Sequence, residues 1–207
     1  MRWVFILLMM AGFAHAEGER AGHFDYYVLA LSWSPNWCAL EGDARNAEQC
    51  ERDLGWNLHG LWPQYHAGWP SYCKTAKRAP SRRMTGQMQD IMGSGGLAWH
   101  QWKKHGTCSG LSAETYFELS RKAYGKINRP RVFRKIDKPL KLPARVVEEA
   151  FLKANDTIEA DGLTVVCKAR YIQEVRICLS KNLDFVPCGR DVLRDCTIED
   201  AVFNPLR

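Results

Sequence analysis

The sequence predicts one α+β domain, and three observations carry that prediction. Apolar residues alternate strand-fashion near both ends of the chain, from Tyr26 to Ser34 and from Leu163 to Leu179, while helical periodicity fills the middle. A length of 207 residues suits a single sizeable core. Eight cysteines, an even count, follow an export-type N-terminus and argue for a chain stapled by disulfides. No internal repeat, low-complexity tract or second domain interrupts the pattern.

Met1 to Ala16 reads as a secretory signal peptide. Arg2 is the positive start, Trp3 to Phe13 the short apolar run, and Ala14-His15-Ala16 the small-x-small cleavage site. That run is too short for a transmembrane helix, and no later segment is long and apolar enough. The mature domain, residues 17–207, is therefore expected to be exported, either into a periplasm or out of the cell, without a membrane anchor. The absence of any C-x-x-C pair weakens zinc-ribbon and thioredoxin-like readings. Cys38, Cys50, Cys73, Cys108, Cys167, Cys178, Cys188 and Cys196 admit many connectivities, and spacing alone does not choose among them.

In chain order, Glu17 to Gly22 reads as a disordered lead, and Tyr26 to Ser34 as a buried strand stopped by Pro35. Cys38 to Asp53 is a polar loop, and Trp56 to Trp62 a second strand. Its alternation places Trp56, Leu58 and Trp62 on one face and Asn57, His59 and Leu61 on the other. Residues 63–83 form a long loop rich in aromatic and basic residues, of the kind that tends to be functional. Thr85 to Met92 is a short helix ended by Gly93-Ser94-Gly95-Gly96. Ser112 caps a helix running to about Lys126. Pro143 opens another through Ala154, with Val146, Val147, Ala150 and Phe151 inward. Leu163 to Ala169 and Tyr171 to Leu179 are strands, with Phe185 to Cys188 a short partner.

The formal charge is +6, or +5 once Arg2 leaves with the signal segment, which favours polyanionic partners. Ten basic residues between Arg121 and Arg145 face only Asp137, either as a solvated surface or as an arm that follows phosphates.

The chemistry concentrates in Trp99-His100-Gln101-Trp102-Lys103-Lys104-His105-Gly106-Thr107-Cys108. If this stretch is helical as far as Gly106, His100, Gln101, Lys104 and His105 fall within about 140° of one another. Trp99 and Trp102 then lie opposite, placed to enter a core. Imidazole moves protons near neutral pH, and an adjacent ammonium steadies an anion, a pairing suited to phosphate esters. A zinc pair would place its histidines four apart with a glutamate base. Here the spacing is five, Gln101 replaces the carboxylate, and Lys104 repels a cation, so no metal is expected. His59 adds a third imidazole, beside Gly60, which lets another group approach closely.

Taken together, His59-Gly60-Leu61-Trp62-Pro63 and His100-x-x-x-Lys104-His105-Gly106-Thr107-Cys108 resemble the two active-site segments of the ribonuclease T2 family, secreted acid endoribonucleases related to plant S-RNases. Phe24-Asp25-Tyr26-Tyr27-Val28-Leu29-Ala30-Leu31-Ser32-Trp33-Ser34-Pro35 also resembles that family's first strand, and the likeness covers nearly the whole mature chain. It implies a central antiparallel sheet flanked by helices, and the disulfides Cys38–Cys50, Cys73–Cys108, Cys167–Cys196 and Cys178–Cys188. It implies cleavage of single-stranded RNA without a cofactor, by a chain expected to act as a monomer. His105 would be the base and His59 the acid, with Lys104 and His100 on the phosphate, leaving a 2′,3′-cyclic phosphate and then a 3′-phosphate. Trp62, Gln64 and Tyr65 are the expected substrate-binding residues, with Trp69 and Tyr72 as further stacking candidates. The neutral amide of Gln64 suggests broad base preference. The sequence departs from the family at Gln101, where the usual residue is glutamate. That loss of charge is expected to lower the rate and move the pH optimum. The alternative is an exported relative that holds RNA or another polyanion and cuts it poorly.

Overall fold

A computed structural model describes residues 19–207, and the signal segment expected over residues 1–16 lies outside the described residues. The strand β1 (Tyr26–Trp33) is buried along its whole length. Its run of aromatic and branched residues suits a strand covered on both faces. It runs antiparallel between β2 (Trp56–Gln64) and β5 (Tyr171–Leu179). β4 (Leu163–Lys168) pairs antiparallel with β5. The short strands β3 (Leu140–Leu142) and β6 (Ala201–Phe203) extend the sheet in the order β2-β1-β5-β6-β3. Pairings between these strands are antiparallel except the single parallel step from Tyr171 to Val202.

Alternation divides β1 between two environments. Tyr27, Leu29, Leu31 and Trp33 enter the main core, with Tyr116, Phe117 and Ala123 of α5 (Ala113–Lys126) and Val147 and Phe151 of α6 (Ala144–Ala154). Trp33 stacks on Phe203 at 4.6 Å, and Trp56 meets Phe151 edge-on at 5.2 Å, so aromatic contacts close the far end of this core. Tyr26 and Val28 point the other way, into a smaller cluster with Cys178, Cys188 and Val192. That second face carries the site described below.

Both long helices begin and end within a residue or two of expectation. Ser112 accepts the Thr115 N–H at 3.2 Å as the cap of α5. Along α6, Val147 and Phe151 are buried but Val146 is 41% exposed, so the inward face is narrower than expected. The helix expected over 85–92 is two short ones, α2 (Arg82–Gly86) and α3 (Gln89–Met92), and the first is capped earlier, by Ser81. α1 (Ser34–Trp37) follows β1, and the segment expected as a polar loop is largely helical, a wide π-helical turn over Cys38–Gly42 followed by tight 3₁₀ turns at Asp43–Arg45 and Glu48–Glu51. Residues 19–22 are tied down, not free. The Gly22 N–H bonds to Cys108 O, and Glu19 accepts the Ser71 N–H. Phe185 contributes only a single bridge to Leu179 in place of a strand.

The disulfides join Cys38–Cys50, Cys73–Cys108, Cys167–Cys196 and Cys178–Cys188, the pairs implied by the resemblance. Among the described residues, no helix is long and apolar enough to cross a membrane. Much of the basic run is occupied locally. Arg121 pairs with Asp90, Arg134 with Asp53 and Arg145 with Glu199, while Arg129 lies over the Tyr124 ring.

Asn155, in an N-x-T sequence, is buried where α6 ends. Its Nδ2 donates to Phe151 O at 2.8 Å and Asn128 O at 2.9 Å, and its Oδ1 accepts the Asn128 N–H at 2.8 Å. A glycan on Nδ2 is incompatible with that packing. Asn155→Ala strands two carbonyls and one N–H, and is expected to cost about 2–3 kcal/mol in urea unfolding. A loss under about 0.5 kcal/mol would mean the cap is dispensable.

Candidate active site

The site begins with an irregularity in β2. Ala30 pairs with Gly60 and Leu31 with Leu58, so His59 is an extra residue with no partner on β1. Such a bulge reverses the alternation beyond it. Trp56, Leu58 and Leu61 accordingly share the main core, while Trp62 turns to the opposite face. The uninterrupted alternation expected for this strand, with Trp62 beside Leu58 and Leu61 beside His59, is thereby corrected. The bulge brings His59 and Trp62 together, edge to face, with ring centroids 5.2 Å apart.

Opposite them lies α4 (Gly95–Lys104), capped by Ser94, whose Oγ accepts the Leu97 N–H. The buried positions are Ala98, Gln101, Trp102 and, just past its end, His105. They form an i, i+3, i+4, i+7 stripe that includes two of the polar residues expected on the exposed face. Trp102 is in the core beside Tyr116 as expected, but Trp99 falls outside the stripe and is 45% exposed. Gly106 has no left-handed conformation of the kind a terminating glycine adopts. A side chain there would collide with the Trp102 and Tyr116 rings, and that close approach is what requires glycine. The end of α4 is anchored by the Cys73–Cys108 disulfide and by the Tyr72 N–H donating to Lys104 O at 2.8 Å.

Gln101 is 2% exposed, and its Oε1 accepts the Trp62 indole N–H at 2.7 Å. This bond passes directly over Gly60, where a Cβ would overlap both partners. Trp62 in turn stacks on the His105 ring at 5.2 Å and 24°. His105 is 5% exposed, and its Nδ1 is buried without a hydrogen-bond partner among the described residues, which leaves Nε2 for the cleft. Burial above all, then the charges of Lys104, His59 and His100, hold this imidazole down to about 3, so it is neutral across the ordinary pH range. His100 is lowered too, by burial and then by Lys104.

His59 is held from the sheet. Its Nδ1 lies 2.5 Å from Oε1 of Glu174 on β5, a carboxylate only 4% exposed. Arg176 donates to the other oxygen from Nε at 3.1 Å and from its terminal nitrogen at 3.0 Å. Burial works to raise the Glu174 carboxyl, but His59 and Arg176 overcome it and hold the group at about 2. His59 therefore turns Nε2 outward.

These side chains line one cleft of about 280 Å³, containing His59, His100, Gln101, Lys104 and His105 together with Trp62, Gln64, Trp69, Arg176 and Asp191. Gln64 is buried at its wall, with Oε1 free of any partner among the described residues. Tyr65 does not line the cleft. It packs half-buried against the main core, and Trp69, 55% exposed, takes the place at the rim. None of the basic residues from Arg121 to Arg145 lines it.

A family model described as the Ribonuclease T2 family matches residues 24–188. The chain belongs to the ribonuclease T2 family. A ribonuclease of Aeromonas hydrophila is 34% identical over 212 residues, covering 93% of this chain and 90% of that protein. Ribonuclease I of Escherichia coli is 22% identical over 217 residues, covering 80% and 79%. In fold, an RNase-related protein from Calystegia sepium is similar with a TM-score of 0.67 at 21% identity, covering 89% of this chain and 98% of its own. RNase NT, solved in complex with 5′-AMP, gives 0.63 at 20%, covering 89% and 100%.

Glu174 and Arg176 are the residues of this ribonuclease T2 site that sequence reasoning missed. The available signal was two charges of opposite sign at alternate positions in a strand that is otherwise mostly apolar, Tyr171-Ile172-Gln173-Glu174-Val175-Arg176-Ile177-Cys178-Leu179. Strand residues two apart share a face, and a buried face seldom carries charge unless it is paired.

The burial of His105 has a cost in acid. Its ordinary value is 6.5, so between pH 6.5 and about 3 the unfolded chain binds a proton that the fold excludes. Stability therefore falls as pH falls through that window. Glu174 acts in the same direction lower down, from its ordinary 4.5 to about 2, because its stabilising charge is lost as the carboxylate protonates. Thermal unfolding of His105→Leu is expected to lose most of the decline between pH 6.5 and 4.5, a difference on the order of a few kcal/mol, while keeping below pH 4.5 the shallower decline that Glu174 supplies. Parallel curves for the two proteins would refute the assignment.

Proposed function

We propose that this ribonuclease T2 protein cleaves single-stranded RNA internally by transesterification without a metal, using His105 as base and His59 as acid. The observation that carries the proposal is the opposed setting of the two histidines within one cleft. His105 is buried away from any counter-charge, which favours the neutral form able to take the ribose 2′-hydroxyl proton. His59 bonds a carboxylate through Nδ1, which turns Nε2 to the cleft, where it can give a proton to the departing 5′-oxygen. Lys104 and His100 stand over the same cleft, where a phosphorane would gather charge. The product is a 2′,3′-cyclic phosphate, hydrolysed afterwards to a 3′-phosphate by the same pair with roles exchanged.

His59 and His100 also line a second depression, with Ser32, Arg45, Asn57 and Lys168. A chain crossing the histidines therefore has room for a base on either side, which supports internal cutting. On the cleft side Gln64 offers a neutral amide, consistent with broad base preference. Trp62 already carries His105 and has Arg176 over its ring, so stacking on a base falls mainly to Trp69.

Incubation of the oxidised mature protein with single-stranded RNA in EDTA across pH 4 to 9 is expected to yield cyclic-phosphate ends, with His105→Ala reducing the rate by about 10²–10⁴-fold. Intact RNA at every pH, from protein that still binds it, would make this an RNA-holding relative. Gln101→Glu retains an acceptor for the Trp62 N–H and adds a negative charge beside His105. The charge favours the protonated imidazole, so the acidic limb of the rate profile should move to higher pH. An unmoved limb would show that Gln101 has no electrostatic consequence.

A further inference from the structure

We infer that Glu174 is a positioning residue of the proposed reaction: locked by Arg176, it fixes His59 as the proton donor and supplies from the sheet the negative charge that Gln101 does not supply from α4. This inference rests on the acid role proposed for His59.

Three strands converge to make the contact. His59 is the bulged residue of β2, Glu174 lies on β5, and between them β1 presents only Ala30 and Ser32 on that face, paired with Arg176 and Glu174 respectively. These small side chains leave room for imidazole and carboxylate to meet above the central strand, with the Ser32 hydroxyl 3.5 Å from the same oxygen. Arg176 grips the second oxygen with two bonds, so the carboxylate cannot rotate away. His59 is also faced by His100 and His105 from α4 and its end, and by Glu41 from the turns after α1, which is itself paired with Lys168 and Arg45. Glu174 is thus the only carboxylate hydrogen-bonded to the histidine among the described residues. A buried ion pair is a poor source of stability, since apolar side chains of similar volume often serve as well. A carboxylate that bonds the buried edge of a cleft histidine does what stability alone does not require: it fixes the ring's tautomer and aims Nε2 outward.

Glu174→Gln keeps the shape and an acceptor but removes the charge. In the cleavage assay kcat is expected to fall while KM for a dinucleotide substrate is nearly unchanged. A purely structural role would lower thermal stability while leaving kcat of the folded protein intact. Independently of cleavage, the wild-type proton spectrum should show a strongly downfield ring N–H resonance that is lost in both His59→Ala and Glu174→Gln. Active wild-type enzyme with an unchanged kcat in Glu174→Gln, or a wild-type spectrum lacking that resonance, overturns the inference. If wild-type protein cuts no RNA, the ribonuclease reading fails on its own, and the resonance still decides whether Glu174 holds the histidine. If Glu174→Gln does not fold, the wild-type and His59→Ala spectra carry the test.

Discussion

Between Leu58 and Gly60, β2 carries one residue more than β1, and the arrangement of the cleft depends on that excess. A regular strand would leave His59 and Leu61 on one face and Leu58 and Trp62 on the other, exposing one apolar residue to the cleft and burying the indole meant to face it. The bulge lets β2 serve both demands. Trp56, Leu58 and Leu61 stay in the core while His59 and Trp62 turn together toward α4. Gly60 completes the device, because the Trp62–Gln101 bond occupies the space a side chain would fill. The strand is held in this register by β1, which β5 pins from its other side, so neighbouring strands on both sides of β1 oppose a slip that would scatter the site.

The electrostatics follow from the same placement. His59, His100, Lys104, His105 and Arg176 converge on one cleft, where the charges of Lys104 and Arg176 repel each other and oppose protonation of the neighbouring imidazoles until an anion arrives. Two features make the cluster tolerable. His105 escapes by staying neutral, at the cost of stability in acid, and Glu174 offsets charge from beneath. The covalent and backbone ties at the end of α4 hold the helix against that repulsion. Stability and readiness for an anionic substrate are in tension here, and the fold resolves the tension locally, as functional sites commonly do.

Much of this was legible in the sequence because it depends on local periodicity. β1, β5, α5 and α6 follow from alternation, helical spacing and caps, and His100, Gln101, Lys104 and His105 do share one cleft. What was not legible depends on tertiary pairing. A bulge is a property of two strands, so the phase reversal after His59 leaves no trace in β2 alone. β3 and β6 are three residues each, too short for a period to show. Trp99 illustrates a further limit, since helical spacing orders residues around an axis but does not say which arc faces inward. Glu174 lies 115 residues from the histidine it holds, and only the sheet order brings them together.

The position held by Gln101 shows how one residue can combine two duties that chemistry allows to separate. A side chain there must accept the Trp62 indole N–H, or the ring loses the bond that keeps it against His105. A carboxylate and an amide both do this. Only a carboxylate also brings negative charge to the imidazoles, and that duty is not tied to the helix, because a charge a few ångströms away acts on a proton whichever backbone carries it. β5 presents such a charge from below, already desolvated and already paired. An amide on α4 then keeps the indole in place, and it spares the buried stripe a second carboxylate that would need a partner of its own.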